Sequence, residues 1–258
     1  MNSHEIDYKV IGHDIQLVEV ELDPGETVIA EAGAMMYMED GIEFDTKMGD
    51  GSNPQAGFFD KLLSAGSRMI AGESIFITHF TNRGFGKRHV AFSAPYPGTI
   101  MPVNLAQSGY SIIVQKDAFL CAALGTRISI TLNRRLGAGL FGGEGFILEK
   151  LEGDGMAFLH ACGAVVERRL YNETLRVDTG CIVGFEPQID YDIQVAGNLK
   201  SSIFGGEGLF VATLRGTGRV WLQNMPIRKL IKALMPQSSN AHKENQSLFN
   251  NLNNLFER

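Results

Sequence analysis

Apolar and polar residues alternate with a period of two over many short stretches of the chain. Val18, Val20 and Leu22 are separated by glutamates, and the segment RISITL from Arg127 alternates in the same way. This period places the apolar side chains on one face of a β-strand, so each stretch is predicted to be a strand with one buried face. The strands are separated by Gly, Pro and Asp turns, a pattern typical of antiparallel sandwiches and barrels. The sequence therefore predicts an all-β fold with a few short helices.

A glycine–glutamate landmark occurs three times, each time ahead of an alternating apolar run. Its strongest copies are GGEG at 142–145 and at 205–208, and AGES at 71–74 is a fainter copy. A pair of glycines follows each run and predicts a tight turn, the last at Gly216 and Gly218. We therefore predict a single domain, 1–235, of three tandem antiparallel β-sandwich- or barrel-like repeats, at about 14–97, 98–162 and 163–225. The residues assigned to the structural repeat turns are Gly72, Glu73, Gly143, Glu144, Gly206 and Glu207.

Three segments depart from the strand pattern. In the first repeat, 13 extra residues between Met48 and Met69 carry apolar side chains at helical spacing, which predicts an inserted helix. Pro226 is predicted to open a short helix with one apolar and one basic face, which Pro236 ends. Residues 236–258 form a polar tail that is either flexible or a short docking helix, because apolar residues recur there at helical spacing among many asparagines.

Charge and composition narrow the class of protein. The 258-residue chain has a net charge of −6, but residues 1–60 hold fourteen acidic residues against two lysines, a net of −12. This asymmetry is either solvated surface or an acidic edge of one subunit that faces a basic edge of the next. No apolar run approaches the about 18–20 residues that span a bilayer, and Met1–Val10 shows no secretion signal. Three cysteines without a CxxC pair favour a reducing compartment, so we expect a cytoplasmic location.

The candidate chemical motifs each have a structural explanation that competes with a functional one. A GxGxxG pattern follows one predicted strand, but another strand rather than a helix comes next, so a dinucleotide site is not expected. Glu73, Glu144 and Glu207 either converge on a cation or accept backbone N–H bonds in their own turns, and we favour the turns. His160 and Cys162 share a strand face and would be half of a zinc site, yet a buried thiol and a hydrogen-bonded histidine explain them better. We expect no cofactor, no metal and no catalytic residue.

The acidic opening of the chain and the segments AEAGAMMYM, AGESIF and LFGGEG carry a family resemblance. Through them the chain resembles the bacterial branch of the mitochondrial-biogenesis family named for altered inheritance of mitochondria, number twenty-four. The resemblance implies three units, each similar to the small β-structure of the tryptophan RNA-binding attenuation protein, assembled as a homotrimer. It implies no enzymatic activity, and no residues match the tryptophan and RNA sites of the attenuation protein.

These observations leave three functional hypotheses of different classes. The first is a non-catalytic oligomeric scaffold or binding module. The second is a ring-shaped protein that binds a small ligand or single-stranded nucleic acid between neighbouring units, and the third is an unrecognised enzyme. Generic nucleic-acid binding is not expected, because the basic residues are dispersed along the chain rather than gathered on one face. The basic helix after Pro226 leaves a weak peripheral contact with an anionic membrane open.

Overall fold

The computed structural model describes residues 3–48, 76–131, 147–196 and 209–234, and within them the protein is all-β with one short α-helix, as predicted. The strands are β1 (Asp7–Ile11), β2 (Leu17–Leu22), β3 (Thr27–Glu31), β4 (Met35–Met38), β5 (Ile42–Met48), β6 (Phe76–Asn82), β7 (Arg88–Phe92), β8 (Gly98–Asn104), β9 (Ser111–Gln115), β10 (Phe119–Ala123), β11 (Arg127–Thr131), β12 (Leu148–Glu152), β13 (Met156–Cys162), β14 (Val165–Asp178), β15 (Ile182–Phe185), β16 (Asp190–Ala196) and β17 (Leu209–Gln223). The helix is α1 (Ile227–Leu234).

Several predicted features lie outside the described residues. They are the inserted helix after Met48, the polar tail 236–258 and all six repeat-turn residues, Gly72, Glu73, Gly143, Glu144, Gly206 and Glu207.

The chain divides into two compact units, residues 1–226 and residues 227–258, and α1 belongs to the second. This helix directly follows Pro226, as the sequence predicts. In the part of the chain that the structure describes, no helix has the length and apolarity that a bilayer crossing requires.

The alternating pattern produces strands with one buried face. In β2, Val18, Val20 and Leu22 are fully buried, and the glutamates between them are partly exposed. In β11, Ile128 is buried beside an exposed Arg127. Burying a valine or leucine side chain stabilises the folded state by roughly 1.5–3 kcal/mol, so the apolar face directs each strand toward the core.

The strands form three antiparallel sheets. Sheet 1 has the order β1-β2-β7-β4, and sheet 2 has the order β5-β6-β3-β10-β13-β8. Sheet 3 has the order β11-β12-β9-β15-β17-β14, with β16 also paired to β17. Two pairings join distant parts of the chain. We call the β3–β10 pairing, in which Ala30 lies opposite Cys121, the first seam. The β9–β15 pairing, in which Val114 lies opposite Gly184, is the second seam.

Three hydrophobic clusters lie against these sheets. The first joins residues of sheets 1 and 2, including Phe92 and Cys121. The second joins residues of sheets 2 and 3, including Ala122 and Trp221. The third draws on sheet 3 and includes Phe185. Because successive residues of a strand point to opposite faces, adjacent residues of β10 serve two different clusters, and β10 is buried on both sides.

The tight turn predicted at Gly216 and Gly218 is wrong, because β17 runs unbroken through both glycines. β17 stays paired with β14 along this stretch, and the ladder shifts by one residue around Asn172. Asn172 takes a left-handed conformation with φ 57°, and Gly216 has φ 123°. Glycine tolerates a positive φ without steric cost. Gly216, together with Asn172 on β14, therefore lets the two long strands bend at a bulge.

Candidate functional site

The first seam gathers titratable side chains from four separate segments, and we call Glu31, Tyr96, Asp117 and His160 the seam cluster. Glu31 ends β3, and Asp117 lies in the 3-10 turn that leads into β10. The Tyr96 hydroxyl donates to the Asp117 carbonyl oxygen over 2.9 Å. The Tyr96 and His160 rings meet edge to face, with their centroids 4.9 Å apart. No sequence spacing predicts this cluster, because it forms only when β3 and β10 pair.

Burial and like charge shift the protonation of the seam cluster. Burial, reinforced by repulsion from Asp117 and partly offset by Lys116, raises the pKa of Glu31 to about 7. Burial also raises the pKa of Tyr96, and the charges of Asp117 and Glu31 add to the effect. Burial lowers the pKa of His160 to about 4, so this imidazole is neutral at neutral pH. Such shifts occur both at functional sites and in purely structural clusters. Near neutral pH, the Glu31 carboxyl therefore exchanges between its neutral and charged forms.

His160 and Cys162 are both buried in β13, in line with the structural explanation. The His160 ring lies against Gly98, where an added Cβ would come within 2.6 Å of ring atoms. Among the described residues its Nδ1 has no hydrogen-bond partner, so the hydrogen bonding predicted for this histidine is not made at Nδ1. Burial raises the pKa of the Cys162 thiol, which disfavours the thiolate that metals bind. Within the described ranges, no group of three or more His, Cys, Asp or Glu side chains is arranged to hold a metal ion.

The second seam depends on close approach of two backbones. Gly184 pairs with Val114, and a Cβ at Gly184 would lie 2.7 Å from the carbonyl oxygen of Ile113. The connection from β14 to β15 is closed by the Asp178 carboxylate, which accepts a hydrogen bond from the Gly180 N–H over 3.0 Å. Glycine at 184 is therefore a requirement of the seam itself.

A charged network stabilises the C-terminal part of β17. The Arg219 guanidinium donates to Glu186 over 2.7 Å, and the Arg219 backbone N–H donates to the same carboxylate over 2.9 Å. The guanidinium also lies 5.3 Å from the centroid of the Trp221 ring, whose Nε1 donates to Glu167 over 2.8 Å. Since the charged groups have partners, we interpret this network as structural. No sequence pattern predicts this network, because its residues belong to three separate strands or loops.

β4 is an edge strand with an exposed apolar surface. Met35, Met36 and Tyr37 are 39%, 57% and 38% exposed. Among the described strands, β4 has β7 as its single neighbour, so its other edge is unpaired. Unpaired N–H and C=O groups on an apolar edge are a template for another strand. The acidic residues Glu39 and Asp40 follow directly.

The C-terminal half of β14, residues 173–178, is a second edge of interest. It pairs with β17 on one side, and no other described strand pairs with it. Val177 belongs to the third hydrophobic cluster and Leu175 packs against that cluster, whereas Arg176 is exposed. β14 also carries the exposed residues Arg168 and Arg169. Residues 173–178 themselves carry one basic side chain, Arg176, and two acidic ones, Glu173 and Asp178.

The fold and these sites define an antiparallel β-protein of stacked sheets whose polar cluster lies at an internal strand seam. A family model described as mitochondrial biogenesis AIM24 matches residues 8–225, and the chain belongs to this family. The family resemblance seen in the sequence is therefore confirmed.

Two further similarities agree with this result. An uncharacterised protein of Streptococcus pyogenes serotype M6 is 32% identical over 230 residues, which cover 87% of this chain and 88% of that protein. A Streptococcus pyogenes protein solved by X-ray crystallography has a TM-score of 0.69 at 23% identity, over 89% of this chain and 98% of that chain. The second similarity supports the fold alone.

Proposed function

We propose that the protein is a non-catalytic, self-assembling scaffold or binding module built from three copies of one six-stranded unit. The observation that carries this proposal is a strand-pairing pattern that recurs along the chain. We letter the strands of a unit a to f in chain order. The first unit is then β2 to β7 and the second is β8 to β13. In the third unit, β14 supplies a and b, β15 is c, β16 is d, and β17 supplies e and f.

Two features of the pairing support the three-unit proposal. In every unit, strand f lies between a and c, and strand e lies between d and b. The register shift between strands f and c also falls at the same position of strand c in all three units. The shift falls at Met35/Tyr37, Phe119/Cys121 and Ile182/Gly184. Duplication of one unit accounts for this agreement, and stacking supplies a shared core that a single unit of about 60 residues lacks.

One type of contact joins successive units. Strand b of one unit lies beside strand c of the next, as β3 beside β10 and as β9 beside β15. In the described residues two strands lack this contact. They are β4, which is strand c of the first unit, and the C-terminal half of β14, which is strand b of the third unit. Complementary ends of this kind favour cyclic head-to-tail association, because closure pairs every such edge. The homotrimer implied by the resemblance is the assembly we propose.

Light scattering coupled to size-exclusion chromatography tests this function. At micromolar concentration we expect a mass three times the 28.2 kDa of one chain. A monomer mass under these conditions would overturn the self-assembling scaffold.

A second candidate function is the binding of a small ligand between neighbouring units, and the seam cluster is the observation that favours it. Tyr96 and Glu31 are polar groups at the contact between the first and second units, and the pKa of Glu31 lies near neutral pH. Native mass spectrometry of the purified protein tests this candidate. A bound mass that is lost in the Tyr96→Phe variant supports it, and a spectrum of unliganded protein argues against it.

We propose a cytoplasmic location, supported by three cysteines that form no CxxC pair and of which Cys121 and Cys162 are buried. The basic residues of α1, including Arg228 and Lys229, support a weak contact with anionic lipid. Binding of the protein to vesicles with and without anionic lipid tests this contact.

A further inference from the structure

We infer that the β4 edge of one chain pairs, antiparallel and in a fixed register, with residues 173–178 of β14 in a second copy. Tyr37 of the first chain then lies opposite Val177 of the second. This inference rests on the proposed function, and it adds the surface, the partner and the register of the assembly.

The register on the β4 side follows from the two internal seams. At the first seam Cys121 lies opposite Ala30, and at the second seam Gly184 lies opposite Val114. Cys121 and Gly184 are each the first paired residue after the register shift in strand c. In β4 that residue is Tyr37.

The register on the β14 side follows from where strand b ends. β3 ends at Glu31 and β9 ends at Gln115, so the seam residues Ala30 and Val114 are both penultimate. β14 ends at Asp178, and its penultimate residue is Val177.

The pairing then continues along both strands. Met38 is expected opposite Arg176, as Ala122 lies opposite Ile29 at the first seam. The contact is not identical to the seams, since Tyr37 is larger than the cysteine and glycine that hold its place there.

The exposure of β4 supports the same conclusion. At the two seams, the side chains equivalent to Met35, Met36 and Tyr37 are at most 3% exposed: Phe119, Leu120, Cys121, Ile182 and Val183. In β4, the exposed fractions are 39%, 57% and 38%. Strand b of the preceding unit lies beside β10 and β15, and no described strand takes that place beside β4. A second copy would cover this surface as the seams cover theirs.

Charge favours a head-to-tail contact over a symmetric one. Residues 1–60 carry a net charge of −12, and Glu39 and Asp40 follow β4. Continued two residues past Met38, the inferred register places Asp40 opposite Thr174 and diagonally across from Arg176, an exposed residue of β14. Pairing β4 with β4 of another copy would place like charges together, which disfavours that arrangement.

The inferred contact also completes a sheet. Sheets 2 and 3 both have the order d-e-b-c-f-a across a seam. Joining β16-β17-β14 of one chain to β4-β7-β2 of the next creates the same order, with β1 added at the end. The third hydrophobic cluster, which contains Val177, is then extended by strands of the next unit, as β8, β10 and β13 extend the first cluster with Ile100, Cys121 and Phe158.

A thiol cross-link between copies tests the register. The parent is Cys181→Ser, because Cys181 is partly exposed whereas Cys121 and Cys162 are buried. Tyr37→Cys and Val177→Cys are combined in this parent, and the protein is treated with a short thiosulfonate linker. We expect covalent dimers and trimers on a denaturing gel.

A matched control carries Tyr37→Cys and Arg168→Cys. Arg168 is exposed on the same strand as Val177, but nine residues earlier, which is about 30 Å along an extended strand. We expect this control to stay monomeric on the gel after treatment. Equal cross-linking of both pairs would overturn the register.

The outcomes separate this inference from the proposed function. A trimer by light scattering without a link between positions 37 and 177 overturns the inferred interface and leaves the scaffold intact. A monomeric parent overturns the proposed function itself. If the double variant misfolds, the two single variants are mixed instead. Links that form only in the mixture support the inference, and links within the Tyr37→Cys variant alone would show a symmetric contact and overturn it.

Discussion

Replacing Glu31 by Gln should stabilise the protein in a pH-dependent way. The pKa of Glu31 is raised from 4.5 to about 7, by burial first and by Asp117 second. Between these two pH values the folded chain binds a proton more tightly than the unfolded chain does, so stability falls as pH rises and the full cost is present above pH 7. The difference of about 2.5 pH units corresponds to roughly 3 kcal/mol in the free energy of unfolding. Glutamine has nearly the same shape and no charge, so it avoids this cost.

Urea unfolding at a fixed protomer concentration measures the effect, with the single tryptophan, Trp221, as the fluorescent probe. We expect Glu31→Gln to exceed the wild type by about 1 kcal/mol at pH 5 and by about 3 kcal/mol at pH 8.5. Glu43→Gln is the matched control, because the Glu43 side chain is 76% exposed and its ion pair with Arg83 is 3.8 Å long. This control should stay within about 0.5 kcal/mol of the wild type at every pH.

Two results would refute the reasoning on Glu31. One is a Glu31→Gln difference that does not change between pH 5 and pH 8.5, which would mean that the carboxyl titrates normally in the folded protein. The other is a variant less stable than the wild type at pH 8.5, which would mean that the ionised carboxylate makes a favourable contact.

Three more predictions concern packing and ligands. Asn82→Ala should lower the free energy of unfolding by about 2–4 kcal/mol in the same urea assay, because the buried Asn82 amide donates to two carbonyl oxygens, each over 2.8 Å. An unchanged midpoint would contradict this. Gly184→Ala should cost about 1–3 kcal/mol, since its Cβ would lie 2.7 Å from the Ile113 carbonyl oxygen, and a wild-type melting temperature would disprove the close approach. Protein purified without chelators should hold no stoichiometric transition metal and no nucleotide by elemental analysis and absorbance. A metal lost on mutating His160 or Cys162 would restore the zinc hypothesis.

The sequence alone determined the secondary structure and the buried faces over most of the described chain. The alternation at Val18, Val20 and Leu22 identified both a strand and its buried side, because side-chain direction in a strand depends only on position along it. The burial of His160 and Cys162 followed from the apolar run that contains them. The family also followed from sequence, through local motifs.

Only the tertiary structure decided which strands lie side by side. A period of two defines which face of a strand is buried but not which strand lies beside it. The sequences of β3 and β10 therefore do not predict that these strands pair. The raised pKa of Glu31 depends on that pairing, since the first seam buries the carboxyl and brings Asp117 near it from a distant segment. Strand pairing also explains why the turn predicted at Gly216 is wrong. Glycine permits either a turn or a bend, and the continuous ladder with β14 selected the bend.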